Sequence, residues 1–173
     1  MLTDREKKRL EFAKSSPHAT PYDKIHMEAK IHPTAIIGFD GFGWARDYDN
    51  SLVKVNHSGN VVINKDVEIR AFVTVDRAVN GSTVIEEGTK VDHHCHIAHA
   101  VKLGKWNTLA AHTVIEGSCV IGDGNTFGAG VIVQRKVVIG NNNIFGSGCV
   151  VTKDCEDNGI YIGNPARLFR HNR

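Results

Sequence analysis

The chain has 173 residues, 41% of them hydrophobic, with 21 Lys and Arg against 19 Asp and Glu. That length suits one domain with a real core, and the scattered, nearly balanced charge excludes a basic nucleic-acid stripe or an acidic tail. No apolar run approaches the roughly 18 residues needed to cross a bilayer, and MLTDREKKRLEF lacks the apolar centre of a signal peptide, so a cytoplasmic protein with no membrane or nucleic-acid partner is expected.

Residues 1–30 are largely polar and are expected to form an N-terminal cap. A first apolar fragment, Ile31 and Ile37, precedes an irregular stretch at 43–60 that is expected to loop off the fold. A six-residue period then sets in at Ile63, Ile69 and Val75, and slips by four residues around VNGS (79–82). It resumes without a break through Ile85, Val91, Ile97, Leu103, Leu109, Ile115, Ile121, Phe127, Val133, Ile139, Phe145 and Val151. The residue four after each is almost always small or β-branched, and Cys95, Cys119, Cys149 and Cys155 all fall there. With no CxxC pair among them, they read as small core fillers rather than metal or redox groups. The residue one after each apolar position is often Gly (Gly104, Gly122, Gly128, Gly140, Gly146), expected to serve a bend with unusual backbone angles. A period of six fits neither a continuous strand nor an amphipathic helix, but short strands separated by regular corners wind a chain into a prism. The expected fold is an all-β parallel β-solenoid over 31–156, followed by a C-terminal tail at 157–173.

The pattern resembles the left-handed parallel β-helix of the hexapeptide-repeat transferases. That resemblance implies three hexads per coil, left-handed winding and a homotrimer. Residues 18 apart then become vertical neighbours. His94 falls under His112, and His99 under Gly117, followed by Arg135 and Lys153. Outward columns His96, Val114, Ile132, Val150 and Val120, Val138 are apolar enough to need a cover, for which self-association is the simplest.

Four of the ten histidines crowd into VDHHCHIAHAVKLG (91–104): His93, His94, His96 and His99. The spacing His94-x4-His99 is similar to two zinc ligands of gamma-class carbonic anhydrases. A third ligand is missing one coil earlier, where the chain reads TVDRAVNG, and two ligands hold a catalytic zinc too weakly. No metal is therefore expected, with a zinc enzyme and a non-catalytic scaffold kept as alternatives.

GFDGFG (38–43), TVDRA (74–78) and IAHAV (97–101) resemble the UDP-3-O-acylglucosamine N-acyltransferase family of lipid A synthesis. The resemblance implies a general base at His99, an oxyanion-holding backbone amide at Gly117 and a sugar-contacting carboxylate at Asp92. An unperturbed imidazole suits proton removal from an attacking amine, and a backbone N–H suits the oxyanion. Asp76, about one coil below His99 once the slip is counted, is expected to orient that imidazole or bind the amine, while His93 and His94 line the substrate. The chain departs from the family in showing no uridine-binding domain and no helical extension for an acyl carrier protein, and Lys136 stands where a second histidine is expected. Its end, GIYIGNPARLFR, resembles acetyl-CoA-dependent acetyltransferases of nucleotide-linked amino sugars. On these departures the expected donor is acetyl-CoA or another short acyl-CoA, its phosphates met by Arg135, Lys153 and Arg167. The expected acceptor is the amine of a nucleotide-linked amino sugar. The alternative is a carrier-protein-dependent UDP-glucosamine N-acyltransferase of lipid A type.

Overall fold

A computed structural model describes residues 23–172; most of the expected N-terminal cap lies outside them. The chain winds a three-faced prism of short parallel strands with no helix among the described residues. The first face stacks Lys24–Ile25, Asn60–Ile63, Ser82–Ile85, Lys102–Leu103, Val120–Ile121 and Val138–Ile139. The second begins with Lys30–Ile31 and Glu68–Ile69, continues through Ile144–Phe145, and ends with Gly159–Ile162 and Arg167–His171. The third stacks Ile36–Asp40, Thr74–Arg77, His96–Ile97, Val114–Ile115, Ile132–Val133 and Val150–Val151. Strand pairing thus begins at Lys24, inside the segment expected to be a cap.

The register is what the period requires. Lys90 opposes Thr108 and His96 opposes Val114, each 18 residues on. All twelve apolar positions from Ile85 to Val151 are buried, and so are all twelve residues four places after them. At that second position Asn107, Asn125 and Asn143 form an internal ladder. The side-chain oxygen of each accepts a backbone N–H one coil on, at Asn125, Asn143 and Gly159, over 2.6–2.8 Å. These bonds hold the coils in register, and the side-chain NH2 groups of Asn107 and Asn125 donate to the Gly122 and Gly140 carbonyls, while Asn143 Nδ2 is buried with no hydrogen-bond partner among the described residues. The four cysteines are free and buried, and burial pushes the thiols of Cys95, Cys119 and Cys155 up to about 11, as inert core fillers should be.

One local expectation needs correction. The left-handed backbone falls three residues after each apolar position, at six-residue steps from Gly88 to Gly148, with His94 (φ 58°) and Lys136 (φ 65°) among them. The glycines one place after the apolar residue serve close stacking instead. A Cβ on Gly122 would lie 2.5 Å from Asn141 Oδ1 and 2.7 Å from the Gly140 carbonyl.

Two insertions break the regularity. Thr74 opposes His96, 22 residues on, which absorbs the four-residue slip, and Lys30 opposes Glu68, 38 residues on. The larger insertion is not a plain loop, since Trp44–Arg46 and Leu52–Lys54 pair as an antiparallel hairpin. At the other end the tail folds back on itself, Gly159–Ile162 adding a parallel strand beside Ile144–Phe145 and Arg167–His171 returning antiparallel. A stack of Phe127, Phe145 and Tyr161, with centroids 4.9 and 5.3 Å apart, fills this end of the core.

Candidate active site

His99 sits just past His96–Ile97, at the corner where the third face turns into the first. Its carbonyl accepts the Ser118 N–H at 2.9 Å, which pins this corner to the next coil. The ring lies directly over Gly117: a Cβ there would be 2.5 Å from His99 Nε2 and 2.7 Å from Cε1. Only glycine leaves room for the imidazole, and the Gly117 N–H has no acceptor among the described residues. The corner thus offers a ring nitrogen and a free backbone donor side by side, the pair expected from the 18-residue stacking.

The insertion after Asp40 closes over this corner. Gly41 packs against both His99 and His57, a Cβ on it falling 2.8 Å from His57 Nε2 and 3.2 Å from His99 Cδ2. His57 is 2% exposed, and its ring meets that of His99 edge-on at 5.7 Å between centroids. Its Nδ1–H donates to the Val55 carbonyl at 2.9 Å. Burial first, then the neighbouring His57 and Arg135, lower the pKa of His99 below the usual imidazole value of 6.5. A neutral imidazole at physiological pH is the form a general base requires.

Asp76 lies about one coil below His99. Because Thr74 opposes His96, the residue that aligns with His99 is Arg77, and Asp76 falls one place short. Asp76 is 8% exposed; its Oδ2 lies 3.7 Å from His96 Nε2, and His96 Nδ1 is hydrogen-bonded to Thr74 Oγ1 at 2.7 Å. Burial, with a smaller push from Asp40, raises the Asp76 carboxyl to about 7, and burial lowers the pKa of His96. At 3.7 Å the contact is too long for a strong hydrogen bond, and burial favours the neutral form of both groups. The adjacent Asp40 is held ionised instead: Lys54 donates to it at 2.8 Å and Arg77 pairs with it, lowering its pKa.

The remaining expected site residues lie elsewhere. Asp92, His93 and His94 occupy the corner between the second and third faces, one hexad before His99. There Asp92 Oδ1 and His93 Nδ1 meet at 2.7 Å, beside an open groove of about 650 Å³ lined by Lys30, His32, Glu68, Arg70 and His93. His94 stacks between Phe72 and His112, each 5.0 Å away between centroids, which is the His94–His112 column expected from the sequence. Among the described residues no three or more His, Cys, Asp and Glu side chains gather closely enough to hold a metal. Arg135 and Lys153 continue the His99 column, as Val133 opposing Val151 requires. Arg167 is exposed on the returning tail strand, its guanidinium donating to the Ala166 carbonyl. Within one chain the structure brings together His99, Gly117 and Arg135, and leaves the Asp92 corner and Arg167 apart. His57, Asp40 and Arg77 were not anticipated. Asp40 and Arg77 lie inside GFDGFG and TVDRA, whereas His57 carried no signal beyond being a histidine in an aperiodic stretch.

Residues 82–117 and 118–153 match the bacterial transferase hexapeptide (six repeats) family. Residues 82–153 thus carry hexapeptide repeats of that family's kind. The Arabidopsis UDP-N-acetylglucosamine acyltransferase superposes with a TM-score of 0.74 at 26% identity, over 84% of this chain and 49% of that one. The fold is accordingly the expected left-handed parallel β-helix. The UDP-3-O-acylglucosamine N-acyltransferase of Campylobacter jejuni is 44% identical over 133 residues, 77% of this chain and 41% of that one. The enzyme of the same name from Chlorobium chlorochromatii is 45% identical over 91 residues, 53% of this chain and 25% of that one. The chain thus spans well under half the length of these relatives.

These relatives overturn the expectation of an acetyl-CoA-dependent sugar N-acetyltransferase and favour its alternative, N-acyl transfer of lipid A type. The physical reason lies in the tail. GIYIGNPARLFR forms the strand pair that extends and closes one end of the second face. A solenoid needs such a closing segment whatever acyl group it handles.

Proposed function

We propose that the chain is the β-helical acyltransferase unit of a UDP-3-O-acylglucosamine N-acyltransferase. The observation that carries the reading is His99 Nε2 against the Cβ-less Gly117, whose amide has no acceptor among the described residues, within the repeats matched at 82–117. In a complex of both substrates, the sugar amine attacks the thioester carbonyl. His99 Nε2 takes the amine proton as the C–N bond forms, and the Gly117 N–H holds the developing oxyanion. Collapse then expels the thiolate, which leaves as the thiol on taking that proton from His99 and so returns the imidazole to its neutral form. No enzyme nucleophile is needed.

Asp76, near neutral, contacts the sugar, and Arg135 and Lys153 meet the anionic arm of the acyl donor, which is a carrier protein. In a homotrimer the Asp92, His93 and His94 corner of one subunit faces the His99 corner of the next, with the columns Val114, Ile132, Val150 and Val120, Val138 as apolar cover. Val120 and Val138 are 46% and 47% exposed in the single chain, which supports such burial. A cytoplasmic location belongs to the same reading.

Thiol release measured with UDP-3-O-acylglucosamine and a 3-hydroxyacyl carrier protein tests it. Turnover with that pair, and none with UDP-glucosamine lacking the 3-O-acyl group, is expected. Absence of turnover under conditions where the protein is folded and trimeric would overturn the assignment.

A further inference from the structure

For His99 to act through Nε2, its proton must sit on Nδ1, and an Nδ1–H inside a covered corner needs an acceptor. Asp76, the carboxylate expected to orient the ring, faces His96 instead. His57 answers the need better. Its Nδ1–H is committed to the Val55 carbonyl, which can only accept, so in the neutral ring Nε2 is a bare lone pair. That Nε2 is buried and has no hydrogen-bond partner among the described residues, an arrangement that is unfavourable if it is left so.

The two rings already meet edge-on, both resting on Gly41, whose missing Cβ permits the approach. The edge of His99 that faces Gly41 carries Cδ2, and its tip against Gly117 carries Nε2 and Cε1 together. A half-turn of the ring about Cβ–Cγ therefore exchanges Cδ2 for Nδ1 on the His57 side, and still leaves Nε2 at Gly117. Catalytic hydrogen bonds are often long in the free enzyme and tighten when substrate binds.

We propose that His57 is the residue that positions His99: its Nε2 accepts the Nδ1–H of His99 and leaves His99 Nε2 bare beside Gly117. The chain of donors then runs from His99 through His57 to the Val55 carbonyl, so the aperiodic insertion fixes the tautomer of a base carried by the regular coils. The proposal rests on the role given to His99 above, but the tautomer can be read without any substrate.

The test is nitrogen-15 NMR of the histidine rings at pH 8 in the whole chain, with His99 assigned from its loss in His99→Gln. The Nδ1–H tautomer of His99 is expected in the unsubstituted protein. In His57→Leu it should give way to the Nε2–H form, and His57→Gln, whose amide oxygen restores an acceptor, should recover it. With the acyl substrates, His57→Leu should lower kcat by about 10-fold or more, part of the usual general-base contribution, with KM little changed. His57→Gln should regain most of that loss. An Nε2–H majority in the unsubstituted protein, or the same tautomer in His57→Leu, would overturn the proposal. Should His57→Leu not fold, the unsubstituted protein and His57→Gln still decide it. The expected tautomers in a protein that turns over no acyl substrate would uphold the positioning while defeating the proposed function.

Discussion

From Ile85 to Cys155 the chain repeats without error, whereas between Ile36 and Ser82 it breaks twice, and the two halves bury different things. In the regular half the buried polar residues are Thr89, Asn107, Thr113, Asn125 and Asn143, none of them titratable and all engaged with neighbouring coils. In the interrupted half they are His57, Asp76 and Thr83, two of them titratable. Regular stacking fixes where His99 and Gly117 sit, to within what a coil spacing allows. The insertions then cover that corner and set its protonation.

The sharpest way to break this comparison is through stability. Phe127→Ala removes a fully buried ring from the Phe127–Phe145–Tyr161 stack and should cost about 3–5 kcal/mol in urea denaturation. Val53→Ser, at a 48% exposed position in the hairpin, should cost no more than about 0.5 kcal/mol. Equal losses would mean that the hairpin is as much a part of the folded core as the coils are.

A smaller effect concerns pH. The Asp76 carboxyl is raised from 3.8 to about 7, so the folded state binds this proton more tightly than the unfolded state does. The resulting stability is fully present below about pH 4 and is lost as pH rises through about 7. Asp76→Asn removes that dependence. The stability difference between the unsubstituted protein and Asp76→Asn should therefore change by of order 2–4 kcal/mol between pH 4 and pH 8, at about 1.4 kcal/mol per pKa unit. Parallel stability curves for the two proteins would show that Asp76 titrates as an ordinary surface carboxyl.

How much of this was legible follows from the same contrast. Twelve apolar residues at a constant step specify an inward face, and the 18-residue coil that the family resemblance implies then puts His99 beside Gly117 and His94 beside His112. The bend glycines were assigned the wrong reason, because a period shows which residue recurs and not whether its φ or its missing Cβ matters. Asp76 lies about one coil below His99, as the count across the four-residue slip has it, but packing and not the count decides that its carboxyl faces His96. His57 was invisible, since its partners are Val55 nearby and His99 on another coil, and nothing periodic connects them. The acyl donor was misjudged because the tail was read as a chemical signal when its strands serve to close the second face.

The central claim is that the half-buried His99, and not the buried Asp76, is the base. The direct measurement is kcat/KM against pH with UDP-3-O-acylglucosamine and a carrier-bound acyl donor. The rate should rise through an apparent pKa below 6.5, the direction in which burial, His57 and Arg135 move His99, and level off above it. His99→Ala should lower the plateau by about 10²-fold or more and abolish that rise. A rise centred near 7 that disappears in Asp76→Asn, with His99→Ala keeping full activity, would contradict it and move the base to Asp76.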